Sequence, residues 1–206
     1  MKTLVRTCAI VALTAAGCQP YWNRPAAAPA GYQTAAADPR RDTEKVRRLN
    51  EQGAALAERG QFEAAEKTLK EALAADLFYG PAHNNLGSVY FRQRKYYLAA
   101  WEFQHAAKLL PGKAQPRNNL GMVFEATGRT EAAVENYEKA LAIEPGAFEP
   151  AANLARTLAQ DGRKDDRTRA LLEQVARTDP RPDWVAWAHD RLAAMPKPDM
   201  SLPTPK

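Results

Sequence analysis

The chain carries the stretch HNNLGSVY at residues 83–90 and the stretch RNNLGMVF at residues 117–124. The offset between them is 34 residues at every position, and a weaker copy lies one period later at residues 151–158. Self-similarity at this period predicts helical hairpins that stack on their neighbours, because one hairpin cannot bury its apolar face alone. The repeat therefore predicts an all-α solenoid with a groove along its concave side.

The same register divides the middle of the chain into four units. Their predicted limits are residues 46–79, 80–113, 114–147 and 148–181. Glycine marks the turn inside three units, at Gly60, Gly128 and Gly162, whereas Arg94 holds that place in the second. The fourth unit is degenerate and aligns only with a one-residue insertion.

Two units carry a known pattern of residue types. The second unit has Leu86, Gly87, Tyr90, Ala99, Phe103, Ala106 and Pro111. The third has Leu120, Gly121, Phe124, Ala133, Tyr137, Ala140 and Pro145. On these residues the chain resembles the tetratricopeptide repeat family. The resemblance implies a right-handed superhelical solenoid of about four helix-turn-helix repeats, which binds other proteins.

A capping helix is predicted at residues 183–195, before Pro196. Trp184, Trp187 and Leu192 cluster towards one face of it. A solenoid needs such a cap, because its last hairpin would otherwise expose apolar surface. We expect the two tryptophans to pack in the core, with ligand binding as the alternative.

The first 17 residues have the charged start and apolar run of a secretory signal peptide. Residues 15–18, AAGC, resemble a bacterial lipobox, which implies acylation of Cys18. The alternative is an ordinary signal peptide cut near Gly17. Acylation would anchor the protein in a bacterial cell envelope, and Gln19 then favours the outer membrane, facing the periplasm.

The remaining segments follow from composition. Residues 18–41 are rich in proline and alanine and read as a lipidated tether. Residues 42–195 form the repeat domain, and residues 196–206 read as a disordered tail.

Composition and motifs disfavour other functions. The formal charge of +5 includes Lys2 and Arg6 of the signal peptide, and it is too mild to indicate nucleic-acid binding. The three histidines, His83, His105 and His189, have no metal-ligand spacing. No phosphate loop, zinc-helix motif or nucleophile elbow is present. We therefore expect no catalysis, no cofactor and no metal.

The first helices of the repeats carry a series of asparagines. Asn85, Asn119 and Asn153 recur at the 34-residue spacing. Amides both donate and accept hydrogen bonds, so they either bind the backbone of an extended peptide or tie neighbouring hairpins together. The predicted partner-binding groove comprises Asn84, Asn85, Ser88, Arg92, Asn118, Asn119, Met122, Asn153 and Arg156.

The second helix of the second unit carries an aromatic stripe. Tyr97, Trp101 and His105 lie at successive four-residue spacings, where the family usually has charged side chains on the convex side. Such a stripe indicates either a contact surface for a partner or a surface that the chain's own tether covers.

These observations favour a membrane-anchored, non-catalytic scaffold that captures a protein or extended peptide in its groove. The alternative is an assembly subunit of a pilus, secretion or cell-envelope complex that uses the convex aromatic surface.

Overall fold

The computed structural model describes residues 43–196, which contain nine α-helices and no strand. The predicted all-α repeat fold is confirmed. The signal peptide, the tether and residues 197–206 of the predicted tail lie outside the described residues. The helices are α1 (Thr43–Glu58), α2 (Phe62–Ala75), α3 (Gly80–Arg92), α4 (Tyr96–Leu109), α5 (Gln115–Ala126), α6 (Thr130–Ile143), α7 (Phe148–Gln160), α8 (Asp166–Thr178) and α9 (Pro182–Ala193).

Four hairpins pair α1 with α2, α3 with α4, α5 with α6, and α7 with α8. The turns of the first three contain a residue in the left-handed region, at Gly60 (φ 75°), Arg94 (φ 58°) and Gly128 (φ 72°). Arg94 thus adopts a conformation that glycine occupies without steric cost. The turn of the fourth hairpin is longer, and Gly162 (φ 78°) lies within it.

Close approach of the two helices explains the glycine inside the second and third hairpins. A Cβ added at Gly121 would lie 2.5 Å from Tyr137 Cε1, and one added at Gly87 would lie 2.7 Å from Phe103 Cδ1. Both aromatic rings are buried in the core. The missing side chain of each glycine therefore makes the space that the aromatic ring of the opposite helix fills.

Contacts between hairpins are asymmetric. The first helices touch one another directly, α1 with α3, α3 with α5 and α5 with α7, whereas successive second helices make no comparable contact among the described residues. The first helices are therefore crowded together on the inner side of the stack. They line the groove, and α2, α4, α6 and α8 form the outer side.

The last helix, α9, packs on α8 and buries Ala188 completely. It begins one residue before the predicted range of 183–195 and ends two residues earlier. Pro182 fits the first helical turn, since its missing N–H would have no partner there. Trp184 and Trp187 are half-buried against the core, as the packing interpretation expects. Within residues 43–196, no helix is long and apolar enough to cross a bilayer.

We predict that Gly121→Ala destabilises the fold by about 1–3 kcal/mol, because the new methyl group overlaps the buried Tyr137 ring. Gly146→Ala is the matched control: its added methyl group meets no atom within 4 Å, so stability should change by no more than about 0.5 kcal/mol. Urea unfolding measures both. Equal effects in the two variants would contradict the close-approach explanation.

Candidate functional site

Three hydrogen bonds of one kind join the first helices of successive hairpins. In each, the side-chain nitrogen of an asparagine donates to the side-chain oxygen of an asparagine 35 residues earlier. The pairs are Asn85 with Asn50 (2.9 Å), Asn119 with Asn84 (3.0 Å) and Asn153 with Asn118 (2.9 Å). We term this series the amide ladder. Its donors are engaged between hairpins, as the second interpretation of these asparagines states.

The amide ladder does not use every polar atom of its members. Among the described residues, Nδ2 of Asn50 and Asn84 donates no hydrogen bond, and the two side chains are 8% and 5% exposed. Oδ1 of Asn85, Asn119 and Asn153 likewise accepts no hydrogen bond from a described residue; Asn85 and Asn119 are half-buried, and Asn153 is 8% exposed. The amide ladder thus retains both donors and acceptors along the first helices.

The groove arginines are paired within the protein. Arg92 Nη1 donates to the carbonyl oxygen of Ala57 (3.0 Å), which joins α3 to α1. Arg156 donates to both carboxylate oxygens of Glu125 (3.1 and 2.9 Å). Tyr137 also donates to Glu125 (2.7 Å), and burial followed by the adjacent carboxylate raises the pKa of Tyr137. Arg156 is thus ion-paired with a carboxylate, whereas Arg92 bonds to a neutral carbonyl and keeps its positive charge.

The other predicted groove residues lie beside the amide ladder. Ser88 Oγ donates to the backbone oxygen of Asn84 (3.0 Å), and Met122 Sδ accepts from Nδ2 of Asn118 (3.8 Å). Both side chains are half-buried. All nine predicted groove residues thus lie on α3, α5 or α7.

At the C-terminal end of the groove, Trp184 of the cap lies near two guanidinium groups. The Arg156 and Arg181 guanidinium carbons are 5.1 and 4.5 Å from its ring centroid. Arg181 also pairs with Asp179 (2.6 Å), and its hydrogen bond lowers the pKa of that carboxyl. Such cation–π contacts stabilise the join between the fourth hairpin and the cap.

A buried polar pair lies inside the second hairpin. His83 Nδ1 is 2.6 Å from Glu102 Oε2, and Nε2–H donates to the carbonyl oxygen of Leu77 (2.8 Å). Because both ring nitrogens face acceptors, a proton must also lie between His83 and Glu102. The pair is thus either an imidazolium with a carboxylate or an imidazole with a carboxylic acid, and it is neutral overall in both forms.

The predicted aromatic stripe covers this pair. The Trp101 and His105 ring centroids are 4.1 Å apart, and His105 stacks on His83 at 5.5 Å. Burial, then the neighbouring charge of His83, lowers the pKa of His105. Tyr97 is the outermost member, with 63% of its surface exposed. The stripe is therefore a half-buried cluster with an exposed end.

The sequence interpretation missed three residues of these networks. Asn50 accepts the first bond of the amide ladder, and its register with Asn84 at one period was the available signal. His83 and Glu102 were missed because their pairing is specific to this hairpin. Within the described range, no group of three potential metal ligands is placed to hold an ion.

The tetratricopeptide repeat family model matches residues 78–144, which span the second and third hairpins. No curated protein matches the chain. The family match therefore coincides with the two hairpins whose sequence repeats are most regular.

Solved structures with this fold include peptide-binding proteins. The first TPR of Spaghetti (RPAP3), bound to the HSP90 peptide SRMEEVD, is 24% identical, with a TM-score of 0.56 over 59% of this chain and 97% of that one. YrrB, described as a TPR protein with an unusual peptide-binding site, is 20% identical, with a TM-score of 0.59 over 74% and 79%. The O-GlcNAc transferase of Thermobaculum terrenum is 26% identical (TM-score 0.61); the match covers 66% of this chain and 26% of the transferase.

We predict that Glu102→Ala destabilises the protein by roughly 3–5 kcal/mol, because it leaves the buried His83 nitrogen without a partner. Glu102→Gln should cost less, since its amide can donate to Nδ1 while Nε2–H still donates to Leu77. Urea unfolding compares them.

Asn136→Ala is the matched control for that prediction. Asn136 holds the equivalent position in the third hairpin and has a buried oxygen without a partner, so the loss there should be smaller. Equal losses for Glu102→Ala and Glu102→Gln would contradict the hydrogen-bond account.

Proposed function

We propose that this chain is a non-catalytic tetratricopeptide repeat scaffold that holds an extended segment of a partner protein against α1, α3, α5 and α7. The observation that carries the proposal is the set of unused donors and acceptors along the amide ladder. An extended backbone offers the complementary groups at every residue. Recognition of this kind depends little on the side chains of the partner.

Helix spacing sets the length of segment that fits. Packed helices lie about 8–10 Å apart, and an extended chain advances about 3.3 Å per residue. A bound segment would therefore pass one rung of the amide ladder about every three residues. Three rungs correspond to a segment of about nine residues.

The pairing of Arg156 and Arg47 with carboxylates favours an internal segment over a chain terminus. Capture of a terminal carboxylate needs cations that are available to it. Arg92 is bonded to Ala57, and Arg156 is held by two bonds to Glu125. Arg47, on the first helix, pairs with Glu44 and Glu51.

Membrane anchoring is a further part of the proposal. Cys18, in the lipobox-like AAGC sequence, would carry the lipid, and residues 18–41 would connect it to the repeat domain. Two or more acyl chains give durable anchoring, since each buried methylene contributes about 0.8 kcal/mol. The scaffold would then hold its partner near an envelope membrane, with the outer membrane favoured by Gln19.

The aromatic stripe on α4, formed by Tyr97, Trp101 and His105, supports a second role. Tyr97 and the neighbouring Leu98 are exposed, and Trp101 is half-buried. Aromatic residues are enriched at protein interfaces. The protein would in that case also act as an assembly subunit of an envelope complex through its outer side.

We predict that the double variant Asn85→Ala with Asn119→Ala weakens binding of groove-selected peptides by about tenfold or more, the loss expected from removing central contacts. The peptides come from a dodecapeptide library displayed in two formats, with a free carboxyl terminus and as an internal insertion. Internal peptides should bind as well as terminal ones. Fluorescence anisotropy measures the affinities.

Thermal melts of the same preparations show whether the variant is folded at the assay temperature. A strict requirement for a free carboxyl terminus would contradict the internal-segment proposal. A folded double variant with unchanged affinity would place the binding site elsewhere.

We predict that metabolic labelling with a palmitate analogue modifies the wild-type protein and not Cys18→Ser, because the variant lacks the cysteine to which the proposed lipid attaches. The variant should also fail to sediment with membranes. An unlabelled wild-type protein would exclude the lipid anchor without bearing on the groove.

A further inference from the structure

The positive charge of this chain is concentrated in one stretch. Residues 80–124 contain six basic residues and one acidic residue, Glu102. The whole chain has 29 basic and 24 acidic residues, so the remainder of the chain is balanced. The basic residues of the stretch are Arg92, Arg94, Lys95, Lys108, Lys113 and Arg117.

The single acid of this stretch does not contribute to the surface. Glu102 is 7% exposed, and its carboxylate lies against His83. Since that pair is neutral overall, it offers no negative charge to an approaching partner. Lys95 pairs with Glu66 of α2 (3.3 Å), but the buried pair offers no carboxylate to the other basic residues of the second hairpin.

The outward residues of α4 are unlike those of its neighbours. We define the α4 outer face as the half-buried or exposed side chains Tyr97, Leu98, Trp101, Gln104, His105 and Lys108. The positions equivalent to Tyr97, Trp101 and His105 are all charged on the neighbouring outer helices: Glu63, Lys67 and Glu71 on α2, and Glu131, Glu135 and Lys139 on α6. The α4 outer face contains no carboxylate, and it combines apolar area with a cation at the end of the helix.

We propose that the α4 outer face docks an acidic polypeptide segment that also carries apolar side chains. The inference deepens the second proposed role and rests on it, and it is independent of the groove. Tyr97, Leu98 and Trp101 would cover the apolar side chains of the segment. Lys108 and the turn cation Arg94 would lie at opposite ends of α4 and attract its carboxylates.

The composition of the face favours a polypeptide over other anions. A nucleic acid needs a stripe of basic residues that follows its phosphates, and the face itself has one lysine. A phosphate group alone would leave the aromatic area unused. The equivalent outer positions hold two carboxylates and one lysine on each of α2 and α6, so an acidic segment should favour the α4 axis over either neighbour.

The test uses the full chain and a fluorescein-labelled dodecapeptide in which Glu alternates with Leu and Phe. A second peptide has Lys in place of every Glu. The variant Tyr97→Ala with Lys108→Glu changes two exposed side chains of the face. Lys67→Glu is the control, because it makes the same charge reversal on the outer side of α2.

The acidic peptide should bind at least about tenfold more tightly than the basic one, with an affinity that falls as salt rises. Tyr97→Ala with Lys108→Glu should weaken it by about tenfold or more, whereas Lys67→Glu should change it by less than about threefold. The groove variant Asn85→Ala with Asn119→Ala should bind it normally. Thermal melts confirm that each variant is folded.

Each contrary result has a distinct meaning. Equal binding of the two peptides, or an equal effect of Lys67→Glu, would overturn the inference. Loss of binding in the groove variant alone would place the acidic peptide in the groove. That result would contradict this inference and support the proposed groove-binding function. Stronger capture by phosphatidylglycerol vesicles, lost in the α4 variant, would assign the face to a membrane surface instead.

Discussion

The amide ladder is the interaction on which the rest of the stack depends. Each of its bonds crosses from one first helix to the next, with donor and acceptor atoms 2.9–3.0 Å apart. A neutral hydrogen bond contributes only about 1 kcal/mol, but a buried amide without a partner costs more than that. The ladder therefore acts mainly by excluding arrangements in which the first helices separate. Their close packing puts the second helices on the outside and makes the inner side a groove.

The second hairpin departs from its neighbours in several linked ways. It replaces the turn glycine by Arg94, holds the His83–Glu102 pair, and carries the aromatic cluster above that pair. The pair and the cluster depend on each other, because the Trp101 and His105 rings lie over the His83 imidazole. Removal of the rings would expose a polar group that the fold keeps from water. In this hairpin, therefore, the surface rings also shield a buried polar pair. The third hairpin has no such pair, because Asn136 takes the place of Glu102.

The sequence predicts the repeat fold because its signals are local and recur. Gly87 and Gly121 are each followed by an aromatic residue whose ring fills the space beside the glycine. The turn glycines are separated by multiples of the 34-residue period. The partners of the asparagines were not predictable from spacing alone, since an amide at that position can face either a ligand or the next hairpin. The structure distinguishes these two roles, because each hydrogen bond joins asparagines 35 residues apart, one more than the period. The consecutive asparagines Asn84 and Asn85 are the sequence feature behind this offset: Asn84 accepts from the next hairpin, and Asn85 donates to the previous one.

The amide ladder also ends where the sequence requires it to end. A fourth rung after Asn153 would need an acceptor on α7, but Ala152 is buried at the position that Asn118 holds one hairpin earlier. At the other end, Glu51 stands where Asn85 stands one hairpin later, and it pairs with Arg47 instead of donating to a preceding helix. Three rungs are therefore the most that these helices can form. Trp184 and Arg156 lie where the ladder stops, so under the proposed function the cap and the last rung together would limit the length of a bound segment.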